Sequence, residues 1–258
     1  MVCDLLDAKK TAETIRGLDP DIMINAQALS DVDRCEREPL LAARMNVQTV
    51  AHLVGALQGA RTRLIHMSTN YVFDGTKGAA YNEADHPNPI SVYGSSKWKS
   101  EQVALSYPGS VVVRTGTLFG AGRRNFCDEV VSRLQAGQSL EAFVDQVISP
   151  TYTEDLAISI GALCSALSRS EGAHEPRIFH LVNGGACSRV MFAERIADLL
   201  GCSRALVRKI RMAEQPHPAA RPAYSALTTL HATHVIGRTL RPWDDALQAY
   251  LRQRHWLN

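Results

Sequence analysis

The chain has 258 residues, 45% of them hydrophobic, enough to bury a substantial core within one domain and an elaboration. Its 28 basic and 26 acidic residues leave a formal charge of +2, which excludes a net field strong enough to direct it to nucleic acid or a membrane surface. No stretch approaches the roughly 18 apolar residues of a membrane helix. The N-terminal M-V-C-D-L-L-D-A-K-K carries charges where a signal peptide needs an apolar run. The six cysteines lie without a C-x-x-C pair or a Cys/His cluster, so reduced thiols and a cytoplasmic location are expected.

In chain order, short apolar runs alternate with helical patterns, the signature of βαβ units and a parallel sheet. D-I-M-I-N-A at 21–26 follows an Asp-Pro turn and reads as a buried strand. The stretch from Asp33 to Gly59 places Leu40, Leu41, Ala43, Val47, Val50, Leu53, Val54 and Leu57 near the 3.6-residue period and predicts a helix. A strand is expected at 63–68, a helix at 91–107 and a strand at 111–115. Then come a helix near 125–135, an extended stretch around 140–147, a helix near 154–167, a strand at 178–182, a helix at 189–200 ending at Gly201, a Pro-rich loop, and a last helix near 243–252. The densest basic run, Arg204 to Arg211, alternates with apolar residues and reads as a solvated face, with a site for substrate phosphates as the alternative. His231 and His234 form H-x-x-H without a carboxylate or third ligand, and no metal site is read there.

The chemistry concentrates on Tyr93 and Lys97. They form Y-x-x-x-K on a predicted helix, so they share a face. A cation beside a phenol lowers its pKa from about 10 towards working pH, which suits a general acid for carbonyl reduction. The motif alone arises by chance roughly one time in six in a chain with seven tyrosines. Its context strengthens it: S-T-N-Y-V-F-D-G at 68–75 leaves the carboxyl end of a strand, where open α/β sheets place their sites, and sets the hydroxyls of Ser68 and Thr69 in the crevice.

This arrangement resembles the extended short-chain dehydrogenase/reductase superfamily. Further pieces, taken in order, are similar to the dTDP-4-dehydrorhamnose reductase family: P-D-I-M-I-N-A, V-D-R-C-E-R-E-P, Met45-Asn46, V-Y-G-S-S-K with Glu101, V-R-T-G-T-L-F-G, Asn125-Phe126, D-Q-V-I-S-P-T, R-P-A-Y-S-A-L and Pro242-Trp243. The resemblance implies α/β architecture, a Rossmann-like doubly wound parallel sheet with a smaller C-terminal substrate-binding α/β part. Residues 1–140 would form a partial NAD(P)-binding domain and 141–258 mainly the substrate-binding part, the two interleaved. The implied activity is NAD(P)H-dependent reduction of the 4-keto group of an NDP-4-dehydro-6-deoxysugar, dTDP-4-dehydrorhamnose first among them. NADPH or NADH would be the cofactor and a nucleotide sugar the ligand, with no nucleic acid or membrane partner. A second copy of the chain is a candidate partner. Some relatives use magnesium, and no residue set here places an ion.

Carried over by residue, the resemblance makes Thr69 the carbonyl-orienting hydroxyl, Tyr93 the proton donor and Lys97 the partner of the tyrosine and the nicotinamide ribose. Ser68, Ala26, Ala28 and Ser30 would line the cofactor cleft. Asp4 sits where such enzymes carry an adenine-contacting acid, a solvated aspartate being the alternative. Asn46 matches a helix asparagine associated with a water relay, or else a structural one. Thr69, Asn70, Thr117, Asn125 and Arg221 are the substrate-side expectations. Two departures stand out: Asn70 replaces the usual Asp, and Thr117 replaces a Trp that would stack on the sugar, removing aromatic area.

The resembled enzymes begin with a strand, a glycine-rich turn and a helix whose N-terminus faces the cofactor phosphates. No such segment occurs here, and G-T-L-F-G-A-G at 116–122 follows a later strand. The expectation is that residue 1 falls at or just before the third strand, leaving 21–26 as an apolar edge. Two other classes stay open. One is a non-catalytic subunit resembling the regulatory β subunit of methionine adenosyltransferase; the other is an inactive fragment.

Overall fold

The computed structural model describes residues 3–169 and 176–257. After a turn at residues 3–7, helix α1 (Ala8–Leu18) leads into strand β1 (Ile22–Asn25). The expected single helix over 33–59 is instead broken into α2 (Val32–Arg37), α3 (Pro39–Ala43), a π-helical segment (Arg44–Gln48) and α4 (Thr49–Leu57). Pro39 is the physical reason for the first break: the residue before it is driven from the helical region, and Glu38 sits at φ −126°, ψ 62°. Strand β2 (Arg63–Thr69), helix α5 (Val92–Leu105) and strand β3 (Ser110–Thr115) follow close to expectation.

The second half carries β4 (Thr117–Phe119), α6 (Phe126–Gln135), β5 (Leu140–Phe143), β6 (Val147–Ile148), β7 (Pro150–Tyr152), α7 (Thr153–Arg169) and β8 (Ile178–His180). Then come β9 (Cys187–Ser188), α8 (Arg189–Leu199), β10 (Val207–Ile210), α9 (His231–Ile236) and α10 (Trp243–Gln253).

The main sheet is parallel throughout, in the order β1-β2-β3-β8. Alternate residues of a strand face opposite sides, and here both sides are apolar, as covered parallel strands require. Leu64 and Val112 point to α1, α4 and α5, joining Ile15, Leu53, Leu57 and Tyr107. Ile65, Val111, Val113 and Phe179 point the other way to Leu156, Leu163 and Leu167 of α7 and to Ala232 of α9. Helices thus cover both faces, the doubly wound arrangement the sequence implied. β1 and β8 are the edge strands among the described residues, and Ile24 on β1 is 47% exposed.

A separate core unites α6, α8, α10, β5 and β10 around Phe119, Tyr152, Phe192 and Tyr250. β8, from the second half of the chain, belongs to the main sheet, so the two halves interleave.

Candidate active site

The face of the main sheet towards α5 changes character along the strands. Leu64 on β2 gives way to His66 and then Ser68, and on β3 Val112 gives way to Arg114. The face of α5 that meets them is correspondingly polar, burying Ser96, Lys97, Ser100 and Glu101. His66 Nε2 pairs with Ser100 Oγ at 2.9 Å and its Nδ1 with Asn25 Nδ2 at 3.1 Å. Burial holds the His66 imidazole well below its usual pKa, so it is neutral. Glu101 accepts from Ser68 Oγ at 2.5 Å and from the Arg114 guanidinium at 2.9 and 2.7 Å. Both partners of this ion pair are 2% exposed, so each is the condition for the other's burial.

The first turn of α5 is pinned. Ser91 caps it, its Oγ accepting from Gly94 N at 3.1 Å. A Cβ on Gly94 would stand 2.2 Å from the Tyr71 carbonyl oxygen, so the helix start lies directly against the 70–72 turn that follows β2. That approach brings Tyr93 to Thr69, with the Tyr71 ring edge-on at 6.0 Å. One turn on, Lys97 is 3% exposed and donates from Nζ to the Met67 carbonyl at 2.7 Å.

Burial pushes the Lys97 ammonium down to about 8, with the Glu101 carboxylate opposing the shift. Burial pushes the Tyr93 phenol up to about 12, with the hydrogen-bonding Thr69 hydroxyl opposing it. This corrects the expectation that Lys97 pulls the phenol towards working pH. The ammonium is directed at the Met67 carbonyl, and desolvation of the phenolate outweighs every favourable neighbour. The resting phenol is therefore fully protonated, which is the state a proton donor needs.

These residues open on a cleft of about 610 Å³. Thr69, Tyr93, Lys97, Ser68, Ala26, Ala28, Ser30 and Asn125, all expected at the site, line it together. Four expected residues lie elsewhere. Asp4 is exposed outside the cleft and its carboxylate accepts from Leu6 N at 2.9 Å, a local turn. Asn70 is buried and donates to the Ser225 carbonyl at 2.9 Å. Thr117 pairs with Pro150 in the β4–β7 ladder and does not line the cleft, whereas its neighbours Gly116 and Leu118 do. Arg221 lies in a second cavity of about 560 Å³, its guanidinium held by Asp33 at 3.1 and 2.8 Å. Asn46, inside the π-helical segment, accepts from Leu29 N at 2.7 Å and donates to Ser96 Oγ at 2.9 Å. It ties the loop after β1 to α5.

The second cavity begins one residue beyond the cleft: Asn125 lines the first and Phe126 the second. Arg133, Arg189, Arg208 and Arg221 line it, and the Arg189 guanidinium lies over the Phe126 ring at 4.7 Å. Sequence reasoning touched this cavity only through Arg221 and, as an alternative, the basic run that holds Arg208, because its residues are spread over about a hundred positions. The basic run 204–211 proves largely ion-paired and solvated, with Arg204 on Asp198 and Lys209 on Glu194; Arg208 alone of that run reaches the cavity. Among the described residues no group of three or more His, Cys, Asp or Glu is placed to hold a metal ion, and no helix is long and apolar enough to cross a membrane.

The RmlD substrate binding domain description matches residues 2–255. The chain is 32% identical over 254 residues to the spore coat polysaccharide biosynthesis protein SpsK of Bacillus subtilis, covering 97% of this chain and 86% of that one. It is 33% identical over 247 residues to the dTDP-4-dehydrorhamnose reductase of Sinorhizobium fredii, covering 94% and 83%. Among solved structures, the dTDP-4-dehydrorhamnose reductase of Bacillus anthracis in complex with NADP superposes with a TM-score of 0.88 at 27% identity, over 97% of this chain and 86% of that one.

Proposed function

The chain belongs to the RmlD substrate binding domain family, and from that premise we propose that it is an NAD(P)H-dependent oxidoreductase reducing the 4-keto group of an NDP-4-dehydro-6-deoxysugar, dTDP-4-dehydrorhamnose to dTDP-L-rhamnose. The observation that carries the reading is the convergence of Thr69, Tyr93 and Lys97 on one cleft whose lining contains no carboxylate, so an anionic cofactor meets no repulsion there. When bound, the reduced nicotinamide supplies a hydride to the carbonyl carbon. Tyr93 holds the proton that the carbonyl oxygen receives, and the Thr69 hydroxyl orients that oxygen and stabilises its developing charge. Lys97 would hold the nicotinamide ribose and balance the phenolate left behind. Small side chains at Ala26 and Ala28 leave room for a ring or ribose, and Ser30 offers a hydroxyl.

The second cavity suits the nucleotide of the sugar: an aromatic shelf at Phe126, and guanidiniums for a diphosphate at Arg189 and Arg221. The division of labour proposed is cofactor on residues 1–140 and substrate mainly on 141–258, with Asn125 at the junction. Arg221, tied to Asp33, spans the two. A homodimer remains part of the proposal, to be tested by the oligomeric state in solution, and six free cysteines support a cytoplasmic location. Magnesium is retained only as an additive to vary in assays.

The test combines calorimetric titration of the chain with NADPH and NADH and turnover of dTDP-4-keto-6-deoxysugars. Tyr93→Phe is expected to keep cofactor binding and to lower kcat by about a hundredfold or more. Unchanged turnover in that variant, or no turnover of any such sugar by a chain that binds the cofactor, would refute the reading.

A further inference from the structure

The loop Gly120–Asn125, between β4 and α6, carries two adjacent arginines whose partners the catalytic scheme does not supply. Its ends are fixed. A Cβ on Gly120 would lie 1.9 Å from Thr153 Oγ1, so the loop leaves β4 in close contact with the start of α7. At the far end Asn125 caps α6, forms a reciprocal pair with Asp128, and donates from Nδ2 to the carbonyls of Gly120 at 2.9 Å and Arg123 at 3.3 Å. Gly122, at φ +105° with open space around it, is there for its backbone conformation alone.

Arg123 and Arg124 are thus presented from an anchored base, and both line the catalytic cleft. Arg123 Nη1 reaches across the mouth to Ser30 Oγ, on the opposite wall, at 3.5 Å. Neither arginine takes part in an ion pair among the described residues. Most other arginines near the site behave differently: Arg114, Arg221, Arg208 and Arg241 each face a carboxylate. With Lys97, the cleft holds three cationic side chains and no carboxylate. A guanidinium pair left uncompensated in a cavity wall matches a ligand with two adjacent anionic centres, because fork-like donors bind phosphate oxygens in pairs.

We propose that Arg123 and Arg124 form a clamp at the mouth of the cleft that takes the diphosphate bridge of the nicotinamide dinucleotide. The inference rests on the reductase reading, which already places the nicotinamide ribose at Lys97. In that reading the bridge would lie beyond the ribose, towards Ala28 and Ser30, the wall that Arg123 already reaches. The same chemistry occurs in the diphosphate of a nucleotide sugar, and the test separates the two sources.

The full chain, Arg123→Ala/Arg124→Ala and Arg123→Lys/Arg124→Lys are titrated with NADPH, NADH, reduced nicotinamide mononucleotide and dTDP at low and high salt. Far-UV circular dichroism and thermal melting accompany each variant; both arginines are exposed, and no change in either is expected. The clamp predicts that the Ala pair binds both dinucleotides about tenfold or more weakly and with a smaller salt dependence, in line with the loss of exposed charge-assisted bonds. It also predicts that the Lys pair keeps most of the affinity, and that mononucleotide and dTDP binding hardly change. Equal dinucleotide affinity in wild type and the Ala pair overturns the clamp while leaving the reductase reading intact. Loss confined to dTDP overturns it in favour of the nucleotide sugar. Failure of the wild type to bind any dinucleotide overturns both.

Discussion

Raising the pH through the titration of Lys97 is expected to switch the enzyme off well before Tyr93 titrates. Lys97 is 3% exposed, has one carbonyl for a partner, and is pushed from its ordinary 10.5 to about 8. The gap corresponds to a cost of about 3 kcal/mol on its cationic form in the folded protein. Glu101 would offset more of that cost, but its two oxygens are taken by Arg114 and Ser68. If the cationic form is the active one, kcat/KM for the keto sugar should be flat below about 8 and fall roughly tenfold per pH unit above it. The assay is loss of reduced-nicotinamide absorbance across a pH series at constant ionic strength. Lys97→Arg, which stays charged, should lose the limb near 8 while running more slowly at neutral pH. The effect on stability has the opposite sign from a salt bridge: the penalty is fully present below about 8 and disappears as pH rises from 8 towards 10.5, so this group alone makes the fold more stable across that window. A limb that persists near 8 in Lys97→Arg, or one that first appears above about 10 in the wild type, would show that another group controls the rate.

Two further substitutions probe the scaffold. Glu101→Ala leaves the Arg114 guanidinium buried without its carboxylate and is expected to cost about 3–5 kcal/mol in urea unfolding, whereas Glu101→Ala with Arg114→Met should recover much of the loss. A double variant no more stable than the single one counts against the buried pair as the cause. Gly94→Ala sets a methyl 2.2 Å from the Tyr71 carbonyl. A destabilisation of about 1–3 kcal/mol, with kcat lowered more than the cofactor affinity, is expected; unchanged melting would mean that the helix start yields without cost.

What the sequence made legible was what period and local chemistry encode. Strands expected at 63–68 and 111–115, found at Arg63–Thr69 and Ser110–Thr115, stood out because both sheet faces are covered and the strands open on short apolar runs. The helix that carries the candidate site declared itself through Tyr93 and Lys97 at four-residue spacing, whereas its cap at Ser91 emerged only from the fold. The convergence of Thr69 with them followed from its place at a strand's carboxyl end. The misses have equally local causes. α1 has little apolar content beyond Ile15 and Leu18, so its pattern is faint. The break at Pro39 was overlooked because the apolar period that begins at Leu40 was carried back through the charged stretch before it. Asp33 and Arg221 are 188 residues apart, and no property of either residue announces the other. Arg123 and Arg124 read as ordinary surface charge until the fold put the opposite wall within reach. The downward pull on the Tyr93 pKa was inferred from spacing alone, which fixes the face a lysine occupies but not the carbonyl it chooses.

The raised pKa of Tyr93 is compatible with its proposed role once the acceptor is considered. Hydride addition to a ketone creates an alkoxide about as basic as hydroxide, on the order of 16. Against it a phenol at about 12 is still the stronger acid by about 5 kcal/mol, so the transfer runs downhill without any depression of the resting pKa. The costly species is the buried phenolate that remains. The Thr69 hydroxyl already opposes that cost at rest, and the Lys97 ammonium, one helical turn away on the same face, can do so only while it keeps its proton. In the proposed scheme a phenol kept neutral by burial and a lysine poised near 8 would therefore play complementary parts. The first would guard the proton until negative charge appears on the substrate, and the second would supply the countercharge when it arrives. The active pH range should accordingly be set by the lysine.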